Sequence, residues 1–257
     1  MRARNLSGRN KLLIKSQMEY PEVNQLYKYC AYNINSLSII INKKIWVAKP
    51  DSFNDPFDCK IKFKLEINSE AFSKYLIRTG RSTGNRQKDY KIFLKGLHEF
   101  REKNINNFGV FSMSQIKDNI LMWSHYADHH KGFCIGFVRK NDNLLGDIAK
   151  THQVEYDCNY PEADPLDKNG NYDYSIFNKM LFTKAKDWEY EREWRLVYDE
   201  GDKEEPLPAD ITSIIFGLRM SEEHKSTIRK ILAGQPNIQY QQAIEVEYQF
   251  RLKIIDL

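Results

Sequence analysis

Residues 121–137 read LMWSHYADHHKGFCIGF, and the periodicity of this stretch changes part-way through. Ile120, Leu121, Trp123 and Tyr126 recur at helical spacing, with Asp118 as a candidate cap, whereas GFCIGF (132–137) alternates as a strand. A helix that runs straight into a strand, with no regular helix–strand repeat around it, predicts an α+β fold rather than a βαβ array. Three histidines lie in the passage. His125 and His129 are four residues apart and share a face on a continuous helix, as zinc ligands often do, while His130 lies off that face by roughly 140°. Neither a third ligand, an HExxH motif nor a cysteine pair accompanies them, so no metal is expected. His125 is then free to hydrogen-bond in a pocket, His130 to fix the corner before Gly132, and His129 to face solvent.

Working outward, LYKY (26–29) alternates as a short strand, and Asn33 or Asn35 can cap a helix over NSLSIIINK. Strands are expected at IWVA (45–48), CKIKFKLEI (59–67), GVFSMS (109–114), HQVEYD (152–157), EREWRLVY (191–198), TSIIFGL (212–218) and near 237–248 and 251–256. Helices are expected at about 69–78 (stopped by Gly80), about 87–103, 173–186, and over SEEHKSTIRKILAG between Ser221 and Gly234. The resulting organisation is a basic N-terminal arm (1–22), then a single α+β domain (23–257) with a mixed, mostly antiparallel sheet and a helical insertion at about 67–105.

The composition bounds the function. The chain has 257 residues, a net charge of +4, 15 Tyr and 14 Phe, enough for a substantial core and compatible with an anionic partner. Cys30, Cys59, Cys134 and Cys158 form no CxxC pair and read as reduced thiols, with Cys30 and Cys134 as small core residues. Leu12-Leu13-Ile14 is too short for a signal-peptide core and no stretch is long enough to span a bilayer, so a cytoplasmic protein without a membrane partner is expected. No Gly-rich phosphate loop and no GxSxG elbow is present, which disfavours kinase, GTPase, dinucleotide-fold and α/β-hydrolase readings.

Three further stretches carry chemistry. In DWEYEREWRLVY (187–198) a strand points Glu191, Glu193 and Arg195 to one face. That face is either solvent, with Arg195 and Lys186 pairing the acids, or the wall of a cleft in which the acids serve as a base or grip a ribose. FNDPFD (53–58) reads as a Pro-centred turn whose Asx side chains bond backbone amides. Residues 78–91 hold Arg78, Arg81, Arg86, Lys88 and Lys91, either a solvated loop or a basic rim that meets nucleic acid.

Taken in order, LYKY, IWVAKPDSFNDPFDC (45–59), FSMS…LMWSHYADHHKGFCIGF (111–137) and WEYEREWRLVY (188–198) resemble the bacterial and phage-borne domain-of-unknown-function family 2971, over about residues 25–220. No reaction comes with that name. A second resemblance supplies one: the opening strand–helix–strand is similar to the start of NAD-dependent ADP-ribosyltransferases. There a basic residue on the first strand contacts NAD, and a Ser-x-Ser strand and a Glu-x-Glu strand follow. The matching positions here are Lys28 (or Tyr27), Ser112 and Ser114, and Glu191 and Glu193. The first position departs from the Arg or His usual there, and the interval from Ser114 to Glu191 is long.

This resemblance implies an ADP-ribosyltransferase-like architecture and an NAD-using toxin or phage-defence effector acting on a nucleic-acid or protein target. Glu193 would be its catalytic carboxylate, with Glu191 and His125 assisting. Lys28, Tyr27, Ser112, Ser114, Trp123, Tyr126, His130 and Arg195 would line the NAD cleft, with Trp123 or Tyr126 stacking on nicotinamide. The alternatives are a nuclease using Asp55, Asp58, Glu191 and Glu193 with His125 and His130, and a non-catalytic nucleotide-sensing or interaction module.

Overall fold

A computed structural model describes residues 23–63, 69–235 and 237–257; the basic arm of residues 1–22 and positions 64–67 of the expected CKIKFKLEI strand lie outside them. The fold is α+β, with a mixed, mostly antiparallel sheet. Eight strands form the main sheet: β1 (Gln25–Cys30), β4 (Gly109–Ser114), β5 (Phe133–Val138), β6 (Thr151–Gln153), β10 (Glu193–Tyr198), β12 (Ile211–Phe216), β13 (Gln239–Glu245) and β14 (Leu252–Asp256). They run in the order β14-β13-β12-β5-β1-β4-β10-β6, and only β12 and β13 are parallel. Three short pairs lie outside it: β2 (Lys44–Val47) with β11 (Lys203–Pro206), β3 (Lys62–Phe63) with β8 (Glu162–Ala163), and β7 (Glu155–Asp157) with β9 (Thr183–Ala185). The helices are α1 (Ile34–Asn42), α2 (Ser69–Thr79), α3 (Arg86–Ile105), α4 (Ile120–Tyr126), α5 (Ser175–Phe182) and α6 (Glu222–Ile231).

Alternation along the strands sorts the side chains to two faces. Leu26, Phe111, Met113, Ile135, Trp194, Leu196 and Ile214 join one cluster, covered by Ile39 and Ile40 of α1, Ile45 and Val47 of β2 and Ile228 of α6. The opposite face carries two separate clusters. One holds Val110 with residues of α2, α3 and α5; the other holds Tyr27, Tyr29, Cys134 and Ile215 with Met122 and Trp123 of α4. The interval between these two clusters is where the polar residues of the sheet collect.

The sheet is also not evenly knitted. Strand β1 pairs with β5 over six residues and β10 with β4 over six, but β1 and β4 are in register at a single pair, Tyr27 and Ser114. A seam therefore runs through the middle of the sheet.

The α4–β5 corner differs from the helix expected there. The cap is Asn119, which accepts from Leu121 and Met122 N–H at 2.8 and 3.2 Å, in place of Asp118. The helix ends at Tyr126, after which Asp128, His129 and His130 all take left-handed φ values of 45°, 52° and 70°. His125 and His129 thus share no helix face. The chain closes the corner by Gly132 N–H to Ala127 C=O (2.8 Å), and a Cβ at Gly132 would collide with the carbonyl oxygen of Cys30. Gly132→Ala is accordingly expected to cost ~1–3 kcal/mol, as overpacked sites do; urea unfolding should show a lowered midpoint with an unchanged slope.

Candidate functional site

The polar interval is built around Arg195, which is fully buried in the third position of β10. All five of its guanidinium N–H groups have acceptors. Nε and Nη2 donate to Glu193 at 2.9 and 3.0 Å; Nη1 and Nη2 donate to Asp58 at 3.0 and 2.6 Å; and Nη1 also donates to the Leu181 carbonyl at 2.7 Å. Two bidentate carboxylate pairs on one guanidinium fix both acids in plane. Glu193 sits beside Arg195 because residues two apart on a strand share a face, and Asp58 is brought in by the Pro-containing loop at 53–59. In that loop Asp55 accepts from Phe57 N–H (2.9 Å) and Asp58 from Cys59 N–H (2.8 Å), the turn chemistry expected from FNDPFD.

Lys184, in β9, completes the cluster. Its ammonium donates to Glu191 at 2.6 Å and Glu193 at 3.1 Å and lies 3.7 Å from Asp58. The other oxygen of Glu191 accepts from Tyr126 OH at 2.5 Å, and Asn54 bonds Tyr126 in turn. Glu191 closes a 3-10 turn (Lys186–Glu191), and left-handed Arg192 (φ 44°) separates it from β10, so it is no part of a continuous strand. Asp58, Glu191 and Glu193 against Arg195 and Lys184 leave the cluster one negative charge in excess.

The two glutamates are driven apart in acidity. Burial raises Glu193, but the charges of Arg195 and Lys184 and hydrogen bonds from Arg195 and Ser112 more than offset it, holding the carboxyl at about 2. Burial also raises Glu191, and neighbouring Glu193 adds to the effect; Lys184 and Tyr126 oppose it without cancelling it. Burial alone would make Lys184 a weaker base, but Glu193 and Glu191 raise its pKa. Lys28 is the contrasting cation: burial lowers its pKa. Its ammonium stands at the seam, 2.9 Å from the Ser112 carbonyl and 4.9 Å from the centre of the Phe111 ring, with no carboxylate paired to it among the described residues.

These groups line a cavity of about 120 Å³, with Tyr27, Tyr29, Phe53, Met122 and Tyr126 as its aromatic and apolar walls. The structure brings Tyr27, Lys28, Ser112, Ser114, Tyr126, Glu191, Glu193 and Arg195 together there. Three expected residues stay out. Trp123 is fully buried, donates its indole N–H to the Lys117 carbonyl (2.9 Å) and packs edge-on to Tyr29, so it has no face to offer a ligand. His125 is exposed, its ring 6.2 Å from that of Tyr190. His130 holds the corner through Ser124 Oγ (3.0 Å). Ser114 lines the cavity, yet its hydroxyl is committed to the Glu191 carbonyl (2.6 Å).

Residues 122–196 match the model of a family described as Protein of unknown function (DUF2971). No curated protein and no solved structure matches the chain. The DUF2971 segment is narrower than the 25–220 span of the resemblance. It contains Tyr126, Lys184, Glu191, Glu193 and Arg195, whereas Lys28, Asn54, Asp58 and Ser112 precede it. Lys184 and Asp58 are the members that the reading of the acidic strand missed, Lys186 having been expected as the second cation. The signal for Lys184 was slight: a lone charge within LFTKA, between an apolar helix and a turn.

Removing Arg195 should strand Asp58 and Glu193 as buried, unpaired charges. Arg195→Met is expected to lose about 3–5 kcal/mol of stability, measured by chemical denaturation. Because Glu193 has a lower pKa folded than unfolded (~4.3), its stabilisation is complete above about pH 5 and is lost as pH falls toward 2. Glu193→Gln should therefore show a shallower loss of stability between pH 5 and 3 than the wild type.

Proposed function

We propose that the cavity binds the nicotinamide end of NAD and that the protein transfers ADP-ribose. One observation carries this reading: the three strands of the resemblance, β1 with Lys28, β4 with Ser112 and β10 with Glu193, lie side by side in the sheet, and all three residues line one cavity, Lys28 from the seam. The motifs are far apart in sequence, and nothing in their local pattern requires such adjacency.

The chemistry suits the residues. At about 120 Å³ the cavity is well below the ~300–1,000 Å³ of a pocket that engulfs a whole ligand, so it takes one ring and leaves the rest of a dinucleotide along its mouth. Tyr27, Tyr29 and Tyr126 offer aromatic walls for that ring. Lys28, with donors to spare beyond Ser112, is the cation for a phosphate. Transfer breaks the bond between nicotinamide nitrogen and ribose C1′, the electron pair leaving with neutral nicotinamide, and forms a bond from C1′ to the acceptor. The positive charge that develops on the ribose meets the Glu193 carboxylate, which is ionised throughout the physiological range. Glu191, with its raised pKa, takes the proton that the acceptor gives up.

The nuclease alternative finds less support. Its carboxylates Asp58, Glu191 and Glu193 do converge, but the histidines it calls on, His125 and His130, lie elsewhere.

Glu193→Gln should lower NAD consumption by about 10²–10³-fold, the usual effect of losing one charge-stabilising group, with near-native circular dichroism. Lys28→Met should weaken NAD binding, read by calorimetry, without unfolding the protein. Unchanged NAD turnover in folded Glu193→Gln would sink the assignment.

A further inference from the structure

The helical insertion is strongly basic. Residues 69–105 hold nine Lys and Arg against four Asp and Glu, an excess of five in a protein whose net charge is +4. One of those four acids is consumed internally. Asp89 is buried and accepts from Thr83 N–H (2.8 Å), Thr83 Oγ1 (2.6 Å) and Ser82 Oγ (3.0 Å), folding the α2–α3 turn onto the helix start. The bases nearby are left facing water. Lys88, Lys91 and Lys95 lie at i, i+3 and i+7 on α3, on the side opposite buried Phe93 and Leu97, and all three are exposed. None has an ion-pair partner among the described residues. They span about 10 Å of helix, the rise of about three phosphates of one nucleic-acid strand. Arg81 extends the row at the turn, next to the Asn85-capped, electropositive end of α3.

The same lobe adjoins the cavity. Phe53, a cavity wall, packs against the cluster formed by α2 and α3, under the same sheet face as Arg195. From Lys88 to Lys95 this face carries charge of one sign with no ion-pair partner among the described residues, before Glu99 and Glu102 follow on the same face, and such a row complements a polyanion. An anionic bilayer fits less well, because the apolar side of α3 is turned inward and its outer face exposes only Ile92, whereas an interfacial helix buries a continuous apolar face.

We infer that the Lys88–Lys95 part of the outer face of α3, with the α2–α3 turn, is a docking surface for the phosphate backbone of a nucleic acid. The surface is independent of NAD chemistry and stands or falls separately from it. The test is fluorescence anisotropy of the full chain with fluorescein-labelled single-stranded and duplex DNA and RNA of mixed sequence, titrated between ~50 and ~200 mM salt. Wild type should bind at least one of these with an affinity that falls steeply with salt. The triple variant Lys88→Glu, Lys91→Glu, Lys95→Glu should bind at least tenfold more weakly, with a log–log salt slope shallower by about 2–3. These side chains are exposed, so native circular dichroism and an unchanged urea midpoint are expected and serve as the controls for folding. Equal affinity and slope for variant and wild type would overturn the inference. So would an absence of nucleic-acid binding by wild type, or binding confined to phosphatidylserine vesicles in a parallel flotation assay.

Discussion

The buried Arg195 guanidinium is the constraint around which the rest is arranged. A cation in that position is tolerable only with every donor satisfied, and satisfying five donors takes Glu193 from its own strand, Asp58 from a loop 137 residues earlier and the Leu181 carbonyl at the end of α5. Strand, loop and helix are thereby fixed relative to one another by one planar group. Lys184 then balances the carboxylate charge that the arginine leaves over, and Glu191 is drawn in from outside the strand. The two apolar clusters on this face stop at the borders of this network, which is why a cavity exists between them at all.

The same arrangement separates two chemically identical side chains. Glu193 faces a guanidinium and an ammonium and stays ionised, whereas Glu191 shares only the ammonium, receives a phenol hydrogen bond and is pushed toward its protonated form. A pair of carboxylates whose environments diverge in this way can divide charge stabilisation and proton transfer between them. Left-handed Arg192 makes the division possible, because it turns the chain between the two residues and gives them different neighbours.

Much of the scaffold was legible in the sequence. β4 has the bounds that GVFSMS implies, α1 has its cap at Asn33 and α6 its cap at Ser221, because each rests on local periodicity or a capping side chain. The acidic strand was legible in outline: Arg195 does pair the acids, but the face is buried and lines a cavity, so of the two alternatives the cleft holds and the solvent face with Lys186 does not. The identity of the second cation and the role of Asp58 were not legible, since both depend on a meeting of segments that no local pattern encodes. The histidine-rich corner misled in the other direction. Three left-handed residues follow α4, and that backbone turn takes His129 off the face of His125 and ties His130 to Ser124, while His125 faces solvent from the helix itself. Trp123, conspicuous in the sequence, is consumed by packing against Tyr29.

The single registered pair between β1 and β4 has a bearing of its own. A fully laddered sheet presents its neighbours with side chains only, since its amides and carbonyls are spent on one another. Where the ladder is interrupted, main-chain groups become available as ligands, as they do at a sheet edge, but here in the middle of the fold. The carbonyl of Ser112 already serves Lys28 in this way. The cavity is therefore furnished in part by backbone, whose position substitutions at the lining residues do not readily alter. Side chains around the opening can change the fit of a ligand while the polar floor at the seam stays where the two half-sheets put it.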